Sequence, residues 1–185
     1  VLPMTAYTGA GLCNDIATGV FDRFRTLGFW QPAAVVGALL GDILRYFIAV
    51  LSVVGTGLLI GYRPEGGAYG MALGILLVVI YAFSVGWIFA AFGVSAKKAE
   101  SISQNSMIFI YTSIFCSNIF VQTGTLPGWL QVVVNINPTS HVVIATRGLM
   151  DGTVTSGQLS VSVLICVGII LALAPFTFWL YREKK

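Results

Sequence analysis

Residues 68–94 read AYGMALGILLVVIYAFSVGWIFAAFGV, a run without a single charged side chain. A hydrocarbon core about 30 Å thick is crossed by roughly 20 apolar residues in an α-helix, so this run predicts a membrane-spanning helix. Over the whole chain, 57% of the residues are hydrophobic and 9% are charged, whereas soluble domains carry about 25% charged residues. So few charges cannot cover a water-facing surface, which excludes a soluble protein.

Further apolar runs on both sides of this segment predict an all-α polytopic transmembrane helical bundle, with residues 1–185 forming a single transmembrane domain. The predicted spans are part of one helix over about 1–20 and complete helices over about 42–62, 68–94, 102–121 and 159–181. The chain starts at Val1 without the basic start and cleavage site of a secretory signal peptide. We therefore expect that an N-terminal piece of the protein is missing.

The stretch 122–157 is too apolar for a solvated loop and too interrupted for a spanning helix. Pro127-Gly128-Trp129 and Asn137-Pro138 divide it into short pieces. Short re-entrant or interfacial helices before the last span, at about 129–134 and 141–150, satisfy both constraints.

Lys and Arg are distributed unevenly between alternate loops, and cytoplasmic loops carry the excess of these residues. Arg63 and Arg147 fall in one set of loops. The other set holds Arg23, Arg25, Lys97, Lys98, Arg182, Lys184 and Lys185. This asymmetry places the C-terminus in the cytoplasm and the region 122–157 outside.

Asp42 and Arg45 are the charged residues inside the first complete apolar run. They lie three residues apart and so share a helix face. An isolated charge at mid-membrane costs about 2.5 to 3.5 kcal/mol on insertion scales, and pairing removes most of that cost. The sequence predicts an intramembrane ion pair; a local anchor near the surface and a role in the substrate path or a partner contact both remain open.

Several glycines fall four residues apart and would let helix backbones approach closely. The sets are Gly37 with Gly41, Gly57 with Gly61, and Gly66 with Gly70 and Gly74. Packing within one subunit and packing against a second copy are both open.

Motifs for common enzyme chemistry are missing from the sequence. It has no GxxxxGK[ST] phosphate-binding loop, no HExxH pair and no GxSxG elbow. His141 is the single histidine and has no cysteine or histidine partner in the sequence pattern. We therefore expect no enzymatic activity, no catalytic residue and no metal site in this chain, and its modest charge of +3 indicates no nucleic-acid partner.

Two groups of motifs resemble ABC type 2 permeases of the daunorubicin-resistance kind. TLPGWLQ at 125–131, NINPTSH at 135–141 and RGLM at 147–150 are similar to the family's sequence between its fifth and sixth spans. GVFDRFRTL at 19–27 is similar to its cytoplasmic segment after the second span. The resemblance extends over nearly the whole chain and implies that about five of six spans, the second to the sixth, are present.

The resemblance implies a permease subunit of an ATP-binding cassette exporter in the plasma membrane of a bacterium. Such a subunit moves a hydrophobic or amphipathic substrate outward, of the drug, lipid or polysaccharide type. The implied partners are a separate ATPase subunit, which binds ATP and Mg, a second permease copy and the lipid bilayer. This chain itself would hold no cofactor.

The resemblance also implies roles for particular residues. A coupling segment at about 14–31 would contact the ATPase through Asp15, Gly19, Asp22, Arg23, Phe24 and Arg25. Its charges have an alternative role as interfacial anchors that meet lipid head groups. An external gate or cap would contain Pro127, Gly128, Trp129, Asn137, Pro138, His141 and Arg147. Trp129 could equally be an interfacial aromatic anchor, and His141 fits a hydrogen-bonded structural residue better than a ligand.

Two other classes of function remain open on the sequence. An ion-gradient-driven transporter or channel would use the polar span around Gln104, Asn105 and Asn118 as its pathway, although Asp42 is the one carboxylate placed for an ion relay and no inverted repeat is evident. A membrane scaffold without transport activity is the third possibility.

Overall fold

A computed structural model describes residues 1–18, 33–95, 99–119 and 127–183. All regular structure in these residues is α-helical, without a β-strand. The helices are α1 (Leu2–Ala17), α2 (Ala33–Leu59), α3 (Gly67–Ser95), α4 (Ala99–Phe115), α5 (Gly128–Ile136), α6 (Pro138–Met150) and α7 (Ser156–Glu183). The predicted all-α fold class is confirmed.

Three of these helices are long and apolar enough to cross a membrane. The spanning segments are Val36–Leu59 in α2, Gly67–Ser95 in α3 and Ser156–Leu180 in α7. The helices α1 and α4, with 16 and 17 residues, overlap the spans predicted at about 1–20 and 102–121. Both are more polar than the three long helices, because α1 contains Thr and Asn, and Ser, Gln, Asn and Thr recur along α4.

The helix α2 continues unbroken from Ala33 to Leu59, so it contains the start of the span predicted at about 42–62. Charges three residues apart can pair on the surface of the helix that carries them, so Asp42 does not interrupt it. The helix ends where Gly61 adopts a φ of 101°. Tyr62 N–H then donates to Gly57 O at 3.0 Å, which is the Schellman pattern of a helix C-terminus.

The chain divides into two compact units. Unit 1 comprises Val1–Tyr46, Ala82–Ile108 and Gly168–Lys185, and unit 2 comprises Phe47–Tyr81 and Phe109–Val167. In unit 1, an apolar cluster joins α1, α2 and α3 through the buried side chains of Leu12, Leu39, Trp87, Ala90 and Val94.

In unit 2, α5 and α6 contact each other and turn at Asn137; we call α5, Asn137 and α6 the hairpin. Helix α6 lies along α3. Thr139 at its start contacts Tyr81, whereas Met150 at its end accepts a hydrogen bond from Gly66. Residue numbers rise along α6 as they fall along α3, so the two helices are antiparallel.

The hairpin reaches deep along the spanning helix. Tyr81 lies about 21 Å from the start of α3 at 1.5 Å per residue, near the middle of a helix about 43 Å long. The turn of the hairpin is therefore level with the middle of an apolar span, which favours the re-entrant alternative of the sequence prediction over the interfacial one.

Candidate functional site

Asn137 forms the turn of the hairpin and fixes it in two ways. Its side-chain Oδ1 accepts a hydrogen bond from Thr139 N–H at 3.0 Å, which caps the start of α6. Pro138 occupies the first helical position. An N–H at this position has no partner within the helix, so its absence in proline costs no hydrogen bond. The Asn137 Nδ2 donates to the carbonyls of Ser113 at 2.8 Å and Cys116 at 3.1 Å. These carbonyls belong to the end of α4, where helical carbonyls lack partners within their own helix.

The first turn of α6 is also attached to α3 and α7. The hydroxyls of Tyr81 and Thr139 are hydrogen-bonded at 2.7 Å. Ser162 on α7 donates to the carbonyl of His141 at 3.0 Å. Together with those of Asn137, these bonds join three residues within 137–141 to three different helices, α3, α4 and α7.

His141 closes the turn from within the hairpin. Its Nε2 lies 2.8 Å from the carbonyl of Asn135, and because a carbonyl can only accept, Nε2 carries the proton. Among the residues that the structure describes, no group of three or more His, Cys, Asp or Glu side chains is arranged to hold a metal ion.

Arg147 makes a second attachment between α6 and the end of α4. Its Nη2 donates to Ile119 O at 2.7 Å and its Nη1 to Asn118 O at 3.3 Å. Both acceptors are main-chain carbonyls of the turn that follows α4. Asn137 and Arg147, which the sequence placed in one gate, thus hold the same end of the same helix.

Glycines on α3 allow α6 to approach at backbone distance. Gly66 N–H donates to Met150 O at 2.7 Å. A Cβ on Gly66 or Gly70 would collide with the carbonyl oxygen of Leu149, and one on Gly74 would lie 3.5 Å from Met150. The glycine series predicted for close helix packing therefore packs within this chain. By contrast, at Gly37 and Gly41 an added Cβ would meet no atom of the described chain within 4 Å.

The remaining gate residues lie on α5 and are open to the surroundings. Pro127 and Gly128 are exposed, and Trp129 is 71% exposed. Val134, also on α5, is buried. The predicted gate residues therefore separate into an exposed group on α5 and a hydrogen-bonded group around α6.

Three buried polar atoms of unit 2 have no hydrogen-bond partner in the described structure. They are Asn118 Oδ1, Ser140 Oγ and Thr146 Oγ1. Ser140 is 1% exposed and Asn118 is 8% exposed. Unsatisfied buried polar groups are uncommon in native proteins, so each one calls for a physical explanation.

In unit 1, the predicted pair Asp42 and Arg45 belongs to a larger polar cluster. Arg45 Nη1 lies 2.9 Å from Asp42 Oδ1. Thr8 on α1 donates to Asp42 Oδ2 at 2.5 Å, and its hydroxyl also lies 3.1 Å from that of Tyr46. Asp42 is 6% exposed, whereas the Arg45 side chain is 74% exposed.

Close backbone contact also joins α1 to α3 in unit 1. A Cβ on Gly9 would collide with the carbonyl oxygen of Phe89, and one on Gly93 would collide with that of Gly9. A search for glycines four residues apart misses this pair, because Gly9 and Gly93 lie on different helices. Of the partners of Asp42, Arg45 was predicted but Thr8 was missed, because Thr8 lies on another helix. Tyr46, whose hydroxyl lies beside that of Thr8, gave a signal, since a residue four positions after Asp42 shares its helix face.

The predicted coupling residues lie mostly outside the described part of the chain. Gly19, Asp22, Arg23, Phe24 and Arg25 belong to 19–32, which the structure does not describe. Asp15 is exposed near the end of α1. Its carbonyl accepts a hydrogen bond from the Thr18 hydroxyl at 3.2 Å.

Comparison with known proteins places this arrangement in a family. The profile of the family described as ABC-2 type transporter matches residues 1–150. The chain belongs to the ABC-2 type transporter family. With its long apolar helices, this ABC-2 chain is a multi-pass membrane protein.

Curated relatives of the ABC-2 chain are permease proteins from bacteria. It is 50% identical over 187 residues to the daunorubicin resistance ABC transporter permease protein DrrB1 of Streptomyces coeruleorubidus, covering 100% of this chain and 65% of that protein. It is 25% identical over 175 residues to the probable doxorubicin resistance ABC transporter permease protein DrrC of Mycobacterium tuberculosis, covering 92% of this chain and 63% of that protein. The chain thus spans a little under two thirds of the length of these relatives. No solved structure gives a significant match.

Proposed function

We propose that this ABC-2 chain is the membrane-spanning permease part of an ATP-binding cassette exporter. The observation that carries the proposal is the 50% identity, along the whole of this chain, to a permease named for daunorubicin resistance. The substrate is a hydrophobic or amphipathic molecule of the drug, lipid or polysaccharide type, and a drug of that kind is favoured by the names of the relatives. Transport is outward, across the plasma membrane of a bacterium.

The energy for transport comes from a separate subunit. The sequence has no phosphate-binding loop of its own, so ATP and Mg bind to an ATPase partner and this chain acts without enzymatic activity. The coupling segment at about 14–31, with Asp22, Arg23 and Arg25, receives the motion of that partner. Charged residues in a segment between spans suit a polar protein contact.

The hairpin closes the exit end of the route. This proposal is supported by the position of its turn near the middle of α3 and by the hydrogen bonds that attach residues 137–141 to three helices. A polar turn held in place inside an apolar bundle blocks passage until part of this attachment is released. The exposed Trp129 on α5 marks the outer rim, where an aromatic ring suits the membrane interface.

A second permease copy completes the transporter, and the C-terminus lies in the cytoplasm. The excess of Lys and Arg in alternate loops supports this orientation. At Gly37 and Gly41 an added Cβ would meet no described atom within 4 Å, and small residues of this kind suit close contact with a second helix in a membrane.

The proposal is tested by co-purification of the full-length protein with its ATPase subunit. Arg23→Glu with Arg25→Glu reverses the charge of the coupling segment, and Arg63→Glu, in an exposed turn, is the matched control. We expect the ATPase to co-purify with the parent and with the control. The affinity of the double variant for the ATPase should be at least about tenfold lower, which corresponds to about 1.4 kcal/mol of binding free energy.

Two results would count against the proposal. If no ATPase accompanies the full-length parent, the exporter assignment fails. If the double variant binds the ATPase as the parent does and retains full substrate-stimulated ATP hydrolysis, the coupling role of Arg23 and Arg25 is wrong.

A further inference from the structure

We infer that the hairpin opens at one particular contact, the seam between the end of α4 (residues 113–119) and α6. Helix α6 stays on α3, and Asn118 and Ser140 become the polar groups that meet water or substrate when the seam parts. This inference rests on the proposed transport function. It gives Asn118 and Ser140 a substrate-facing role, although neither is among the gate residues predicted from the sequence.

The contact between α6 and α3 stays intact when the seam opens. It is made at backbone distance, by the hydrogen bond from Gly66 to Met150 and by the approach of Leu149 O to Gly70. Sliding either helix would bring side chains against the glycines, and packed interfaces of this kind do not deform continuously. The Tyr81 and Thr139 hydroxyls fasten the far end of the same contact.

The seam is held differently. Across it, the described structure shows two side chains, Asn137 and Arg147, that donate to four main-chain carbonyls. Side-chain donors can rotate away without disturbing the backbone of either helix. The released carbonyls lie at a helix end, where water can donate hydrogen bonds to them instead.

Two polar side chains that could form further hydrogen bonds, Ser140 and Asn118, lie along the same seam. Ser140 is seven residues before Arg147, two helical turns away on the same face of α6, and Arg147 reaches the end of α4 at Asn118. Ser140 Oγ and Asn118 Oδ1 are both buried, and neither has a hydrogen-bond partner among the residues that the structure describes. A closed seam leaves these groups unsatisfied, whereas an open seam gives them water or a ligand, so the polar groups favour opening.

The chemistry of the two groups defines the ligand that suits them. A serine hydroxyl donates and accepts, and an amide oxygen accepts. A ligand with hydroxyl or amine donors on an otherwise apolar frame would satisfy both atoms as it passes. The seam therefore fits an amphipathic molecule better than a purely apolar one.

Asn137 allows the seam to be loosened without destroying the hairpin. Its Oδ1 caps α6 and its Nδ2 holds α4. In Asn137→Asp the carboxylate still caps the helix, because aspartate is as good an N-cap as asparagine, but it cannot donate to the carbonyls of α4. Asn137→Ala, used for comparison, removes both the cap on α6 and the hydrogen bonds to α4.

The test measures how fast water-soluble maleimide labels single added cysteines in the full-length protein, in opened membranes where the reagent reaches both faces. Ser140→Cys reports on the seam, and Thr146→Cys, beside Gly74, reports on the contact with α3. The rate of the matching protein without the added cysteine is subtracted, because Cys13, Cys116 and Cys166 are thiols that form no disulfide and could be labelled as well. The measurement needs no transport, so it remains informative if the proposed function fails.

We expect Asn137→Asp to raise the labelling rate of Ser140→Cys at least about tenfold and to leave Thr146→Cys within about twofold of the parent. An unchanged rate at Ser140→Cys would overturn the inference. So would equal increases at both positions, because the whole hairpin would then have moved off α3. If Asn137→Asp does not reach the membrane, Arg147→Gln loosens the other attachment and must give the same selective increase.

Discussion

The hydroxyl of Thr8 donates to the carboxylate of Asp42 across 2.5 Å, joining α1 to α2 inside unit 1. The other carboxylate oxygen accepts from Arg45 at 2.9 Å. A buried carboxylate with a partner on each oxygen and a cation beside it is stable in an apolar setting. It is also poorly placed to act as an ion relay, because both oxygens are already occupied.

Removal of the Thr8 hydroxyl should destabilise unit 1. Thr8→Val keeps the shape of the side chain but leaves Asp42 Oδ2 without a donor, and loss of a buried partner costs about 1 to 3 kcal/mol. We expect the full-length protein to unfold at a lower denaturant concentration or temperature in detergent. Thr56→Val is the control, since Thr56 is exposed and bonds only within its own helix. Equal stability of the two variants would show that the Thr8 bond contributes nothing.

Glycine at position 9 is required by the contact between α1 and α3. In Gly9→Ala the new methyl group would meet the Phe89 carbonyl, a backbone atom that cannot rotate away, and we expect a loss of about 1 to 3 kcal/mol from overpacking. Gly11→Ala, two residues along the same helix with no neighbour near an added Cβ, should instead stabilise by about 0.5 to 1 kcal/mol through helix propensity. Thermal unfolding of the two variants should therefore shift in opposite directions. Shifts of the same sign and size would contradict the close approach.

The contact between α6 and α3 should govern export. Gly70→Ala places a methyl group against the carbonyl of Leu149, displaces the hairpin and should reduce drug efflux from cells at least about tenfold, as small misplacements of working groups do. Gly55→Ala adds the same methyl group where no atom lies within 4 Å and should leave efflux unchanged. Both variants must be present in the membrane at the level of the parent. Full efflux with Gly70→Ala would contradict a working role for this contact.

The sequence predicts the elements of this fold better than their contacts. Long apolar runs locate α2, α3 and α7. Asn137-Pro138 marks the turn between α5 and α6, because proline disfavours helix at the residue before it. The spacing of Asp42 and Arg45 predicts their proximity, since both lie on one helix. The bond from Thr8 to Asp42 joins residues 34 positions apart in the chain. It depends on the rotation of two helices about their axes, which a single sequence does not specify.

The same limit applies to the candidate site. The sequence singled out Asn137, His141 and Arg147 by resemblance, but not the carbonyls of Ser113 and Ile119 that receive the hydrogen bonds. Every residue carries a carbonyl, so no residue type marks it as an acceptor. The sequence showed that α4 is polar, but it did not show that Asn137 and Arg147 bind the end of this helix.

The turn after α2 gives a prediction about alkaline pH. Partial burial and the negative charge of Asp151, which accepts a hydrogen bond from Tyr62 at 3.3 Å, raise the pKa of Tyr62. The proton is therefore held more tightly in the folded than in the unfolded protein. The stability linked to it is fully present below a pH of about 10 and is lost as the pH rises through the folded-state pKa.

This effect is measured by ultraviolet titration of the tyrosinate band, with Tyr62→Phe subtracted. Asp151→Asn should lower the pKa of Tyr62 towards its ordinary value, while Asp15→Asn should not change it. A pKa of Tyr62 that is unaffected by Asp151→Asn would show that the carboxylate does not act on the phenol.

The most direct test of the account is drug uptake into sealed vesicles that contain the full-length protein and its ATPase subunit, with the ATPase face outward. Daunorubicin, the drug in the name of the relative from Streptomyces coeruleorubidus, is the probe. We predict uptake that requires ATP and Mg, continues when an ionophore collapses every ion gradient, and is lost with Arg23→Glu and Arg25→Glu. Uptake driven by an ion gradient without ATP, or ATP-dependent uptake that is just as fast in vesicles lacking this chain, would contradict the account.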